Sequence, residues 1–207
     1  MRTARGIHAA LFWRNGGFGM KKRERSTYRL VFTALMAALA YVCTLIRFPL
    51  LQSKVHLGNA AGILAGLILS PLDAGLASGL GAGLYDATLG GYDALGCVIT
   101  FVSKFASAFI CAILFRRVKE AAAGKRLGVA YLSCAIGSLL YVFLYMLKTF
   151  IMKQAVDGLA LNAVFVVMLQ KLPASLINAG FATLAAPPLY FALSPALDRM
   201  GISAKLK

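Results

Sequence analysis

Three sets of polar residues at helical spacing interrupt the apolar runs of this chain. Thr100, Lys104 and Ser107 stand at i, i+4 and i+7. Tyr141, Tyr145 and Lys148 repeat that spacing, and so do Lys171, Ser175 and Asn178, with Gln170 beside them. On an α-helix each set occupies one face. The chemistry on offer is binding: tyrosine rings stack on a flat ligand, while lysines and an asparagine orient its polar edge. Three such faces cannot all point at lipid, and the expectation is that they converge on one cavity. Each tyrosine taken alone also reads as an interfacial anchor.

Ionisable groups deep in apolar runs are costly and mark functional sites. At about 1.5 Å per residue, Asp86 lies about 6 Å from the outer end of its helix, and Lys104 and Lys171 about 14 Å from theirs. The turn "GGYDAL" falls between Asp86 and Lys104, so antiparallel neighbours would bring the two together, and a structural ion pair is the competing reading. A second polar cluster interrupts "FPLLQSKVHLGNAAGILAGLILSP", residues 48–71, where Lys54, His56 and Asn59 form a knot between two apolar runs. With Tyr92 in the "GGYDALG" turn, the candidate binding set is His56, Asn59, Asp86, Tyr92, Lys104, Tyr141, Tyr145, Lys148, Lys171 and Asn178.

Catalytic constellations are missing. His8 and His56 are the only histidines and lie far apart, and no H-E-x-x-H, G-x-S-x-G or deep carboxylate pair occurs. "AAAGKRL" has Gly124-Lys125, but Arg126 follows and Lys119 stands where a phosphate-binding loop needs its first glycine. ATP hydrolysis by that route is excluded, and no enzyme is expected. Cys43, Cys97, Cys111 and Cys134 fall inside apolar runs with no C-x-x-C pair, so neither a metal site nor a disulfide framework is indicated, and no cofactor is implied.

The elements that must position these groups follow from hydropathy. Of 207 residues 60% are hydrophobic, and the mean hydropathy is +0.77. Polar loops cannot cover that much apolar surface in water, so the solvent for most of the chain is the lipid bilayer. Six spans are read at about 28–47, 59–70, 73–89, 95–115, 127–151 and 162–190, the second short, the third glycine-rich, and the sixth bent at Pro173 and near Pro187 and Pro188. The fold expected is an all-α integral membrane protein with six transmembrane helices.

The net charge of +15 is gathered at the chain start up to the first turn of the first span, after the fourth span and at the tail: Arg23, Arg25 and Arg29; Arg116, Arg117 and Lys119; Arg199, Lys205 and Lys207 are among its members. With six spans these regions fall on one side, which makes both termini cytoplasmic and places the Lys54–Asn59 knot outside. No basic stripe is interleaved with aromatics, so no nucleic acid is expected. Residues 1–26 read as a basic cytoplasmic leader, or as sequence ahead of a start at Met20; 27–200 as the membrane domain; 201–207 as a basic tail.

Small residues mark close helix approach. Gly75, Gly79 and Gly83 recur every fourth residue, as do Gly62 and Gly66, and both faces read as internal packing. Ala34 and Ala38 form another such face on the first helix, which either packs internally or docks a second membrane protein.

The stretch "VHLGNAAGILAGLILSPLDAGLASGLGAGLYDATLGGY" followed by "ITFVSKFASAFICAIL" resembles the substrate-binding S components of energy-coupling factor (ECF) vitamin transporters. Shared are an H-L-G-[DN] opening of the second helix, a glycine-rich third helix ending in an acidic residue, and a lysine on the fourth. The likeness covers about 29–195. It implies six helices with cytoplasmic termini and a vitamin-sized pocket at the outer face, capped by the loop between helices one and two. It implies docking of the Ala34/Ala38 face on a transmembrane coupling subunit, two ATPase subunits completing the complex, and a loaded subunit that topples to release cargo inside. The cell is then a prokaryote and the site its plasma membrane. Related subunits carry riboflavin, thiamine, biotin, folate, pantothenate or pyridoxine, and the sequence lies nearest a riboflavin-type group. A stand-alone secondary transporter is the alternative, but helices one to three and four to six show none of the inverted repeats it needs.

Overall fold

Helix α1, Thr27–Leu45, starts where the basic leader gives way to an apolar run. The computed structural model describes residues 27–121 and 126–206, with the side chains of 118–121 excepted, and the expected leader lies outside them. After α1 come strands β1 (Arg47–Leu50) and β2 (Ser53–His56), then helices α2 (Gly58–Ile68), α3 (Pro71–Tyr85), α4 (Ala94–Ala121), α5 (Arg126–Ile151) and α6 (Leu161–Arg199). Helices α1, α4, α5 and α6 are long and apolar enough to cross a membrane. Large side chains stand exposed on them, Leu30, Leu132, Phe143, Leu169 and Leu184 among others, as the faces of a membrane protein must against lipid.

Helix α2 is short because it is central. All eleven of its residues are buried, and at about 1.5 Å per residue it is far shorter than a bilayer's hydrocarbon core of about 30 Å. The glycine face of α3 receives aromatic rings. A Cβ at Gly75 would lie 2.7 Å from the Phe105 ring and one at Gly79 3.0 Å from that of Phe101, both on α4. On the other side of α3, a Cβ at Gly81 would lie 2.5 Å from the Ala37 carbonyl of α1. The glycines therefore serve internal packing.

Ser70 caps α3, its side chain accepting from the Asp73 N–H, with Pro71 in the first turn. Arg29 of α1 clamps that cap. Its guanidinium donates to both Asp73 carboxylate oxygens at 2.7 and 3.0 Å and to Ser70 Oγ at 3.1 Å. Helix α3 passes into a π-helical turn, Asp86–Gly90, and Gly91 takes a left-handed conformation (φ 70°) that re-aims the chain into α4. Helix α6 runs on to Arg199, nine residues past the expected end, with Pro173, Pro187, Pro188 and Pro195 inside it. The tail then folds back, and Leu206 is buried in the core with Ile202 against it.

The loop between the first two helices is a β-hairpin, an element absent from the all-α reading. Arg47 pairs with His56 and Leu50 with Ser53, leaving a two-residue turn at Leu51 and Gln52. Leu51 sits at φ 51°, a region uncommon for a bulky residue.

Candidate functional site

A cavity of about 460 Å³ lies beneath the hairpin, between the hairpin-side ends of α3, α4, α5 and α6. Lys104 of α4 forms part of its floor and is 6% exposed. Its ammonium donates to Asn59 Oδ1 and lies 3.8 Å from the centre of the Tyr141 ring. Asn59 does not line the cavity. It belongs to the buried helix α2 and supports Lys104 from behind.

Asp86 pairs with Lys148 at 3.9 Å, so the pairing with Lys104 read from the intervening turn is corrected. The reason is helix rotation: Lys148 of α5 reaches the first turns of α4, donating to the Gly96 carbonyl at 2.9 Å and Thr100 Oγ1 at 2.6 Å, and there meets Asp86. The same ammonium stands 4.4 Å above the Tyr92 ring. Burial, with Tyr145 and Asp86 adding to it, pushes the Tyr92 hydroxyl up to about 12, so it stays a neutral donor.

Tyr141 and Tyr145 form a stacked wall, ring centres 5.9 Å apart and planes 25° apart. Lys171 does not line the cavity. One turn before Ser175 on α6, it approaches the Tyr145 ring at 5.8 Å, whereas Ser175 and Asn178 do border the space.

Asn178 spends its amide on the roof. Its Oδ1 accepts from the His56 N–H at 2.8 Å and its Nδ2 donates to the Lys54 carbonyl at 2.9 Å, pinning β2 to α6. Ser53 and Tyr145 hydroxyls meet at 3.3 Å, a second tie between roof and wall. Burial first, then the positive charges of Lys104, Arg47 and Lys54, pull the His56 imidazole down to about 3. Its ring is therefore neutral near pH 7, and its Nδ1 is buried without a hydrogen-bond partner.

Several lining residues lie outside the candidate set read from the sequence, Arg47 and Tyr85 among them. Arg47 donates to the Tyr85 hydroxyl and its guanidinium lies 5.5 Å from the centre of that ring. In the sequence Arg47 closes the first apolar span and Tyr85 falls within the glycine-rich third. The available signal was Tyr85 standing directly before Asp86, on the same end of the same helix. Among the lining residues the cations are Arg47, Lys54, Lys104 and Lys148, and the single carboxylate is Asp86.

A family model described as ECF-type riboflavin transporter, S component, matches residues 24–195. The chain belongs to this family. It has no significant match among curated proteins or solved structures. The S component is thus a subunit of a membrane transporter, of vitamin-transporter type, and its family is not one of enzymes. Every residue lining the cavity falls inside the matched range. On α1 of this S component, Ala34 and Ala38 are exposed while Met36, Ala37 and Ala40 are buried.

Proposed function

We propose that the S component captures a riboflavin-type vitamin in the cavity beneath the hairpin and delivers it across the plasma membrane of a prokaryote within an ATP-driven importer. The observation that carries this reading is the cavity itself. Its volume lies within the range of about 300–1,000 Å³ typical of small-molecule sites. It joins a stacked tyrosine wall, suited to a flat ring system, to ammonium and guanidinium donors suited to carbonyl oxygens.

The remaining parts of the proposal rest on charge and packing. Six spans place the basic segments in the cytoplasm and the hairpin outside, as a roof that opens to admit cargo. The exposed Ala34/Ala38 face of α1 lets another helix approach closely, as docking on a transmembrane coupling subunit requires. ATP hydrolysis falls to two partner subunits, since the chain has no phosphate-binding loop.

The test has two arms. Purified S component should quench riboflavin fluorescence on stacking, with saturable one-to-one binding. In cells carrying the partner subunits, the double variant Ala34→Trp with Ala38→Trp should lose riboflavin uptake while retaining binding. Absence of riboflavin binding, with another vitamin found by native mass spectrometry of the purified chain, overturns the cargo. Unchanged uptake in the double variant overturns the docking face.

A further inference from the structure

We propose that the end of the molecule opposite the hairpin holds the headgroup of an anionic phospholipid, its phosphate clasped by Arg116 of α4 and Arg126 of α5 beside Tyr190 of α6. The three helices meet at that tyrosine. Its ring stands edge to face against Phe115 of α4, ring centres 5.2 Å apart. Arg116 and Arg126 both lie within electrostatic reach of its hydroxyl. Arg29 of α1 and Asp73 of α3 are within reach of Arg116 as well, but those two are spent on each other: the Arg29 guanidinium donates to both Asp73 oxygens and to Ser70. Arg116 is half-buried and Arg126 exposed. Among the described residues neither guanidinium has a hydrogen bond or an ion pair. The other carboxylate described at this end is the exposed Asp198, against the further cations Arg117, Arg199 and Lys205.

Depth and chemistry both suit a lipid phosphate. The apolar run of α4 ends at Arg117, so Arg116 stands where a span leaves the hydrocarbon for the headgroups. Exposed leucines adjoin the cations, Leu127 next to Arg126 and Leu30 next to Arg29, and offer acyl chains a surface beside the charge. A guanidinium fork matches phosphate oxygens two at a time. Basic pockets between spanning helices capture anionic headgroups in this way. One lipid held there would tie α4, α5 and α6 together at the end where they pack most closely.

The experiment is native mass spectrometry of the purified full chain given equal amounts of phosphatidylglycerol and phosphatidylcholine with the same acyl chains. Bound phosphatidylglycerol should exceed bound phosphatidylcholine by about ten-fold or more, the scale of two basic residues at an anionic interface. Arg116→Gln with Arg126→Gln should bring that ratio close to one. Arg117→Gln with Arg199→Gln removes the same charge from the same end and should leave the ratio unchanged. Excess inorganic phosphate should not displace the lipid. Melting temperatures are recorded alongside, and phosphatidylglycerol should raise that of the parent more than that of the first double variant. A parent without preference overturns the inference. Equal loss in the two double variants overturns the site, because diffuse surface charge would then account for the binding. Displacement by inorganic phosphate overturns the lipid as occupant. If the first double variant does not fold, Arg126→Gln alone, at the exposed start of α5, decides by the same ratio.

Discussion

The same helices build two different ends of this molecule. Toward the hairpin, α4 presents Thr100 and Lys104, α5 presents Tyr141, Tyr145 and Lys148, and α6 presents Ser175 and Asn178, around open space. Further along, α4 presents Ala108, Cys111 and Ala112, α5 presents Ala130 and Cys134, and α6 presents Ala182 and Ala186, all fully buried in one cluster with α2. Helicity is equal at both ends, so helical propensity does not distinguish them. Side-chain size and polarity do. Small residues let backbones touch, and close packing leaves nothing to move. Long polar side chains hold the helices apart and keep a cavity solvated, and its roof is fastened by a few hydrogen bonds. One end is an anchor and the other encloses a cavity.

The largest effect should come from wedging the anchor apart. A Cβ at Gly137 would lie 2.9 Å from the Ser107 carbonyl and 2.9 Å from Cys111 Cβ, where α4 and α5 touch. Gly137→Leu should therefore cost about 1–3 kcal/mol or more, seen as a fall of several degrees in melting temperature in detergent. The contrasting change is Ala82→Leu, which grows into the cavity. It should abolish ligand binding and leave the melting temperature nearly unchanged. If the two variants melt alike, the two ends do not differ as described.

A smaller effect should follow from unfastening the roof. Asn178→Leu removes two hydrogen bonds to β2, each with a net contribution of about 0.5–1.5 kcal/mol. Amide exchange should speed up across residues 47–56 by ten-fold or more and stay unchanged in α4 and α5 next to Cys111. Faster exchange throughout would show that the hairpin is part of the anchor.

Within a pH unit of neutrality the smallest effect is that of protonating His56. His56 is held at about 3 in the closed hairpin, by burial and neighbouring cations, against about 6.5 when the hairpin is undocked and the ring solvated. The open state then binds the extra proton between those values. Closure is at full strength above pH 6.5 and weakens as pH falls from 6.5 toward 3. Protection factors of the hairpin amides, with the intrinsic pH dependence of exchange divided out, should fall over that window, and His56→Gln should flatten the dependence. A flat profile in the parent would mean that His56 is not enclosed.

The hairpin shows why part of the site was hidden. A two-residue turn usually declares itself by Asn-Gly or Asp-Gly, but here Leu51 and Gln52 make the turn, with Leu51 held at positive φ. Nothing local marks "FPLLQSKVH" as two strands; the pairing is sustained from outside, by Asn178 of α6 more than 120 residues away. The Arg47–Tyr85 contact was hidden for the same reason, since its members belong to different helices in the sequence reading and meet only when α1 packs on α3.

What the sequence determined by itself was local and periodic. Hydropathy located the helices within a few residues, apart from the far ends of α4 and α6, because transfer from water to lipid is a sum over neighbours along the chain. Four-residue spacing of Gly75, Gly79 and Gly83 marked a packing face, because helical geometry alone aligns those positions. The same periodicity grouped Thr100 with Lys104 and Tyr145 with Lys148. Only the tertiary structure decided the rest. Spacing defines a face but not the direction in which that face is turned, and the rotation of each helix is set by how all six pack together. That rotation gave Asp86 to Lys148 rather than to Lys104, set Asn59 behind the cavity floor and Lys171 beyond its wall, and left Lys104 buried against the Asn59 amide and the Tyr141 ring.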